Sequence, residues 1–245
     1  MYFLEIWQIF TSNFRFFMLG VANTLIISLT ATILGFFISL LISIVRETKV
    51  GKILCPIYIN VFRGTPMLVQ AMILGYGLPM AFGFSWSRIA GGQVLCGVIV
   101  VTINTGAYLS ETIRSGIQSL DIGQSEAAKS LGFSKWQTMR LIILPQAIRN
   151  VIPAIGNEFI VNIKDTSVLT IINVTELFYY SRGVASENYK IIQTYLVTAS
   201  IYLSLTTIFT FILNKVETKL DRTKSTKKSL PASQTDAKQI LDVKQ

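Results

Sequence analysis

"FFMLGVANTLIISLTATILGFFISLLISIV", residues 16–45, is a run of 30 residues without a single charge. At 1.5 Å per residue, a helix of about 20 apolar residues crosses a bilayer core of roughly 30 Å. The run therefore predicts a membrane-spanning helix, and the composition agrees. Of 245 residues, 51% are hydrophobic and 14% charged, with mean hydropathy +0.53. Soluble domains carry about 25% charged residues.

Outward from this run, residues 64–87, 89–110 and 191–213 are uncharged stretches of 24, 22 and 23 residues. Residues 150–172 are apolar but hold Glu158, Lys164 and Asp165, which reads as a fifth span with a polar face. The expectation is an all-α membrane protein with five transmembrane helices in one domain, residues 1–213. No basic residue precedes Arg15, and the first run is too long for a cleaved signal, so it reads as a retained span. Residues 214–245 are basic and poor in apolar residues, and are expected to stay an unordered cytosolic tail.

Charge sets the topology. Segments 46–63, 111–149 and 214–245 carry 17 of the 22 Lys and Arg residues. Basic loops stay on the cytosolic side, so the N-terminus is expected outside and the C-terminus in the cytosol of a multi-pass cell-membrane protein. The net charge of +9 is then a topology signal, and no nucleic-acid partner is expected. There is no histidine and no G-x-x-x-x-G-K-[ST] loop, and Cys55 and Cys96 lie in separate segments. No catalytic residue, metal site, disulfide or ATP-binding loop is expected.

One connection is unlike its surroundings. "GQSEAAKSLGFSKWQTMRLIILPQAI", residues 123–148, is polar between apolar runs. Ser125 reads as the cap of a short helix with Glu126 in its first turn. Ala127 and Ala128 are strong helix formers, and Gly132 reads as the glycine just past the helix end. Ser134 and Gln137 have the spacing of a capping box. Trp136, Met139 and Ile143 fall on one apolar stripe, and Pro145 marks a return to the membrane. The result is a helix–turn–helix over about 121–145 that shows small residues to the cytosol. The plainer reading is an amphipathic connector lying on the bilayer.

This stretch resembles the EAA loop of ATP-binding-cassette importer permeases. Glu126-Ala127-Ala128, Gly132, Ile142 and Leu144-Pro145 keep that pattern's spacing. "FRGTPMLVQ" (62–70), "NEFIVNIKDTSVL" (157–169), "ANTLIIS" (22–28) and "GAYLSETIRSGI" (106–117) are similar to the polar amino-acid branch of the family. The resemblance covers about residues 19–213. It implies a type I importer permease fold working by alternating access. It also implies cytosolic ATPase subunits that bind the ATP and dock on Glu126, Ala127, Ala128 and Gly132. Its further partners are a second permease copy or a homologous permease, an extracellular solute-binding protein, and an amino-acid substrate.

The residues themselves suggest where a substrate passes. Asn104, Tyr108 and Glu111 share one helix face, and Glu158, Asn162 and Asp165 repeat the spacing. Polar stripes in lipid should face the bundle interior or a watery cavity. Asn104, Tyr108, Glu158, Asn162 and Asp165 are therefore candidates for the path, with interhelical pairing as the alternative. For Glu111 the pairing reading, with Arg114, is favoured. Arg63 reads equally as an interfacial anchor or a functional group, while Thr65 and Pro66 read as a helix start. A self-powered carrier fits less well without histidine or a visible inverted repeat, and a scaffold would not need the acidic stripe. The sequence leaves open which amino acid enters and whether the partner permease is identical.

Overall fold

The computed structural model describes residues 2–46 and 48–228, and every regular element among them is helical. α1 (Tyr2–Ser12) leads into α2 (Phe14–Val45), followed by α3 (Gly51–Gly64), α4 (Met67–Met72) and α5 (Leu78–Phe82). A π-helical turn, Ile73–Gly77, joins α4 to α5. α6 spans Gly92–Gln118. Two short helices, α7 (Ile122–Ser130) and α8 (Lys135–Thr138), precede α9 (Leu144–Asp165), α10 (Leu177–Asn188) and α11 (Ile191–Lys228).

α2 and α6 form the most extensive helix pair. α2 turns Gly20, Thr24, Ser28, Ala31 and Gly35 inward, while Leu29, Ile33, Phe37 and Leu41 stay exposed. Small residues at helical spacing let backbones approach closely in a membrane, where lipid solvates the large apolar face. The approach leaves no spare room. A Cβ on Gly35 would lie 2.8 Å from Thr105 Cγ2, and one on Gly106 would lie 2.9 Å from Ile38 Cγ2. α9 packs against both helices.

Asn162 ties the three together. Its Nδ2 donates to Thr32 Oγ1 and Thr105 Oγ1, each at 3.0 Å, and Thr105 Oγ1 donates back to Asn162 Oδ1 at 3.2 Å. Asn162 is 3% exposed. Asn162→Leu keeps a similar volume but leaves the buried Thr105 hydroxyl without a partner, while Thr32 retains its bond to Ser28 O, and is expected to cost about 1–3 kcal/mol of stability. Thermal unfolding of the purified, detergent-solubilised chain checks this. An unchanged midpoint would show that the bridge contributes nothing.

Among the described residues, three helices are long and apolar enough to cross a membrane: Phe14–Val45, Gly92–Gln118 and Ile191–Lys219. A fourth is possible if Gly51–Gly64 and Met67–Phe82, bent by 103° at their junction, are one broken span. The expected five are not all met by this measure. The 64–87 stretch begins at a break rather than as a straight helix, and the 150–172 stretch carries too many charges. Its helix, α9, starts earlier and ends at Asp165, followed by a 3₁₀ segment, Thr166–Ile172. At the C-terminal end, α11 continues beyond Leu213 to Lys228, so the first part of the expected tail is helical. The rest of that tail, 229–245, lies outside the described residues. Both cysteines are free.

Candidate functional site: a polar cavity and a helical hairpin module

The break between α3 and α4 builds one wall of a cavity. Pro66 has no N–H and holds Thr65 extended at φ −116°, ψ 143°. The break frees backbone carbonyls that a membrane interior cannot hydrate. Gln70, 6% exposed, supplies the donors: its Nε2 lies 2.9 Å from Phe62 O and 3.0 Å from Thr65 O. Asn104 Nδ2 donates to Gln70 Oε1 at 3.1 Å and more weakly to Phe62 O at 3.3 Å. Thr65 therefore does not start the next helix but closes α3. Its hydroxyl donates to Val61 O at 2.7 Å, and Pro66 takes the cap position without a side-chain bond.

The cavity enclosed there has a volume of about 450 Å³, within the range of about 300–1,000 Å³ for small-molecule sites. Arg63 and Thr65 line it from the break, Asn104 and Tyr108 from α6, and Glu158 and Asp165 from α9. The Arg63 guanidinium carbon sits 5.1 Å from the centre of the Tyr108 ring. No ion pair links Arg63 to either carboxylate. One basic and two acidic side chains thus face the same space without a direct ion pair between them.

Four of the five path residues named from sequence meet here; Asn162 does not. At about 100° per residue, Asp165 lies roughly 20° to one side of Glu158 and Asn162 roughly 40° to the other. That difference turns Asn162 into the α2–α6 seam, so it is a bridge and not a lining group. Arg63 joins the cavity rather than anchoring in lipid phosphates. Glu111 behaves as expected: it accepts from Arg114 Nε at 2.6 Å and lies 3.8 Å from Arg46. Lys164 faces a separate cavity with Phe178, Tyr195 and Tyr202.

Two polar groups escaped the sequence reading. Gln70 was visible as a lone amide in the 64–87 run. Glu176 had no such signal. It is fully buried, caps α10 by accepting from Phe178 N and Tyr179 N at 2.8 and 2.6 Å, and accepts from Tyr202 Oη at 2.9 Å.

The module at residues 121–145 forms a compact hairpin. Asp121, not Ser125, caps α7, with Oδ1 accepting from Gly123 N at 2.8 Å. Glu126 therefore lies in the middle of the helix. α7 ends in a Schellman motif: Phe133 N donates to Ala128 O at 3.1 Å, Gly132 N donates to Lys129 O at 2.9 Å, and Gly132 has φ +81°. The capping box forms, with Ser134 N to Gln137 Oε1 at 2.8 Å and Gln137 N to Ser134 Oγ at 3.2 Å. Glu126 and Ala127 are exposed, whereas Ala128 is 1% exposed and packs inward.

Beyond α8 the chain makes a π-helical turn, Met139–Ile143, that runs directly into α9. Pro145 thus marks no reversal. It sits in the first turn of α9, where a missing N–H is tolerated. The π turn also breaks the expected stripe: Ile143 is buried and Trp136 is exposed. Ile122, Leu131 and Trp136 together leave the module with apolar surface that nothing in the described chain covers.

Residues 31–222 match the family described as binding-protein-dependent transport system inner membrane component. The probable amino-acid permease protein YxeN of Bacillus subtilis (strain 168) is 36% identical over 86% of this chain and 94% of its own length. The glutamine transport system permease protein GlnP of Escherichia coli (strain K12) is 34% identical over 82% of this chain and 91% of its own. A crystal structure of an amino acid ABC transporter with histidines superposes with a TM-score of 0.78 at 35% identity, covering 85% of this chain and 96% of that one. An inward-facing MetNI methionine ABC transporter shares the fold, with a TM-score of 0.69 at 16% identity over 85% and 98% of the two chains.

Proposed function

Because this chain belongs to the family of binding-protein-dependent transport system inner membrane components, it is a transporter subunit in a membrane and not an enzyme, and we propose that it is the permease of an ATP-driven importer of polar amino acids. The observation that carries the substrate class is the cavity. Arg63 and the adjacent start of the Met67–Phe82 helix suit an α-carboxylate, and Glu158 and Asp165 suit an ammonium group. Transport names among the relatives, glutamine and arginine, fit the same chemistry.

Energy comes from separate cytosolic ATPase subunits docking on the module. The uncovered apolar residues Ile122, Leu131 and Trp136 and the exposed Ala127 supply the surface. The helical path from Lys135 through the π turn to Asp165 is unbroken, about 45 Å at 1.5 Å per residue. A tilt imposed at the module is carried along it to the carboxylates that face the substrate, which is how closure of the ATPases would alternate access. A second permease copy or homologue and an extracellular solute-binding protein complete the importer.

In this reading the chain crosses the cell membrane five times, α9 included, with the N-terminus outside. α9 can cross because Glu158 and Asp165 face the polar cavity and Lys164 faces the separate one beside Tyr195 and Tyr202. Single cysteines tested in sealed cells check the orientation: Ser12→Cys should react with an impermeant reagent from outside, and Ser134→Cys only after permeabilisation. External reaction at position 134 would overturn it. The chain purified free of ATPase should show no stoichiometric ATP binding, because ATP belongs to the partner.

A further inference from the structure

A second cavity, about 360 Å³, lies where the ends of α2, α3 and α6 meet the module. Arg46, Lys52 and Arg114 line it together with Ile42, Ile117 and Met139. Arg114 is occupied, its guanidinium held by Glu111 and Gln118. Arg46 touches Glu111 only at 3.8 Å through one nitrogen. Lys52 makes no side-chain contact with an acid among the described residues. Glu47 lies outside those residues; counting it, the lining cations Arg46, Lys52 and Arg114 still outnumber Glu47 and Glu111.

The ligand chemistry follows from the two halves of the lining. Cations within reach of one another call for a phosphate-type anion. The apolar half, and the exposed Leu41, Val45, Val50 and Ile53 close by in sequence, call for a hydrocarbon attached to it. A free phosphate or sugar phosphate would use only the first half. Basic pockets between spans at the cytosolic surface suit anionic lipid heads.

We propose that this cavity binds the headgroup of an anionic phospholipid of the inner leaflet, with its phosphate at Arg46 and Lys52 and its acyl chains along α2 and α3. Met139 belongs to the π turn between the module and α9. The lipid therefore touches the element through which ATPase motion reaches the cavity, and its presence sets how that element sits. The site rests on the proposed orientation only for the choice of leaflet.

The test uses the permease with its ATPase in phosphatidylcholine nanodiscs containing spin-labelled phosphatidylglycerol, with spin-labelled phosphatidylcholine as reference. The immobilised fraction should favour phosphatidylglycerol. Lys52→Gln and Arg46→Gln should each reduce that preference about fivefold, whereas Lys52→Arg should retain it. Lys49→Gln, exposed and outside the cavity, should leave it unchanged. An equal drop for Lys49→Gln would mean diffuse surface attraction and overturn the site. Displacement by millimolar glycerol 3-phosphate would reassign it to a soluble anion, and absence of any preference would remove it. Lys52→Cys separates the two readings. Impermeant labelling from outside overturns the orientation alone, while inside labelling together with no phosphatidylglycerol preference in the unmodified chain overturns the headgroup site alone.

Discussion

Changing Glu158 to Gln and Asp165 to Asn together is expected to lower amino-acid uptake roughly 10- to 100-fold while the complex still assembles. Hydrogen bonds to charged groups contribute about 1.5–3 kcal/mol, and a tenfold effect corresponds to about 1.4 kcal/mol. The amides keep the shape of the side chains, remove the charge offered to a substrate ammonium and exchange one acceptor oxygen for an N–H donor. Neither carboxylate is paired with a base in this structure, so the change leaves no orphaned cation. Basal ATPase activity of the assembled complex should therefore persist. Arg63→Gln should act in the same direction through the α-carboxylate. Uptake and substrate choice unchanged in the double variant would reduce the cavity to a packing feature.

The second large effect lies in the module. Ala127→Leu adds a side chain at an exposed position of α7, so within the chain it meets little. Any loss must come through a partner held too far away. Transport is expected to fall roughly 5- to 150-fold, the equivalent of the about 1–3 kcal/mol that overpacking costs at a close-packed surface. Gly132→Val acts by a different route. A Cβ there meets nothing within 4 Å, but φ +81° costs a branched residue roughly 1–2 kcal/mol. The Schellman turn then opens and α7 loses its angle to α8. Ala128→Leu would not separate the causes, because Ala128 is buried and the hairpin itself would be overpacked.

Much of the fold was legible because its signals are additive. Thirty uncharged residues before Arg46 can be little but a span, and Gly132 and the Ser134–Gln137 box each dictate local geometry that the structure adopts. The misreadings occurred where one residue outweighs a pattern. Pro66 breaks what a count of uncharged residues treats as one helix, although the Gly64-Thr65-Pro66 sequence carries the signal. The π turn at Met139–Ile143 shifts the register that placed Trp136 and Ile143 on one stripe. Asn162 shares a nominal face with Glu158, yet a rotation of about 40° is enough to bury it between helices. Asp121 displaced Ser125 as the cap, since both are good caps and only the start of α7 decides. Glu176 was invisible, because Glu is not among the preferred cap residues and its partner Tyr202, 26 residues on, reaches it only in the folded chain.

The measurement that bears most directly on the coupling of this permease to a separate motor is quantitative co-purification. The chain and its Ala127→Leu variant are isolated from their own host membranes at equal permease levels, and the bound ATPase subunit is counted beside uptake. The unmodified chain should retain the ATPase in stoichiometric amount, and the variant should insert normally, lose most of it and transport little. Retention at the unmodified level with normal uptake would contradict docking at the module.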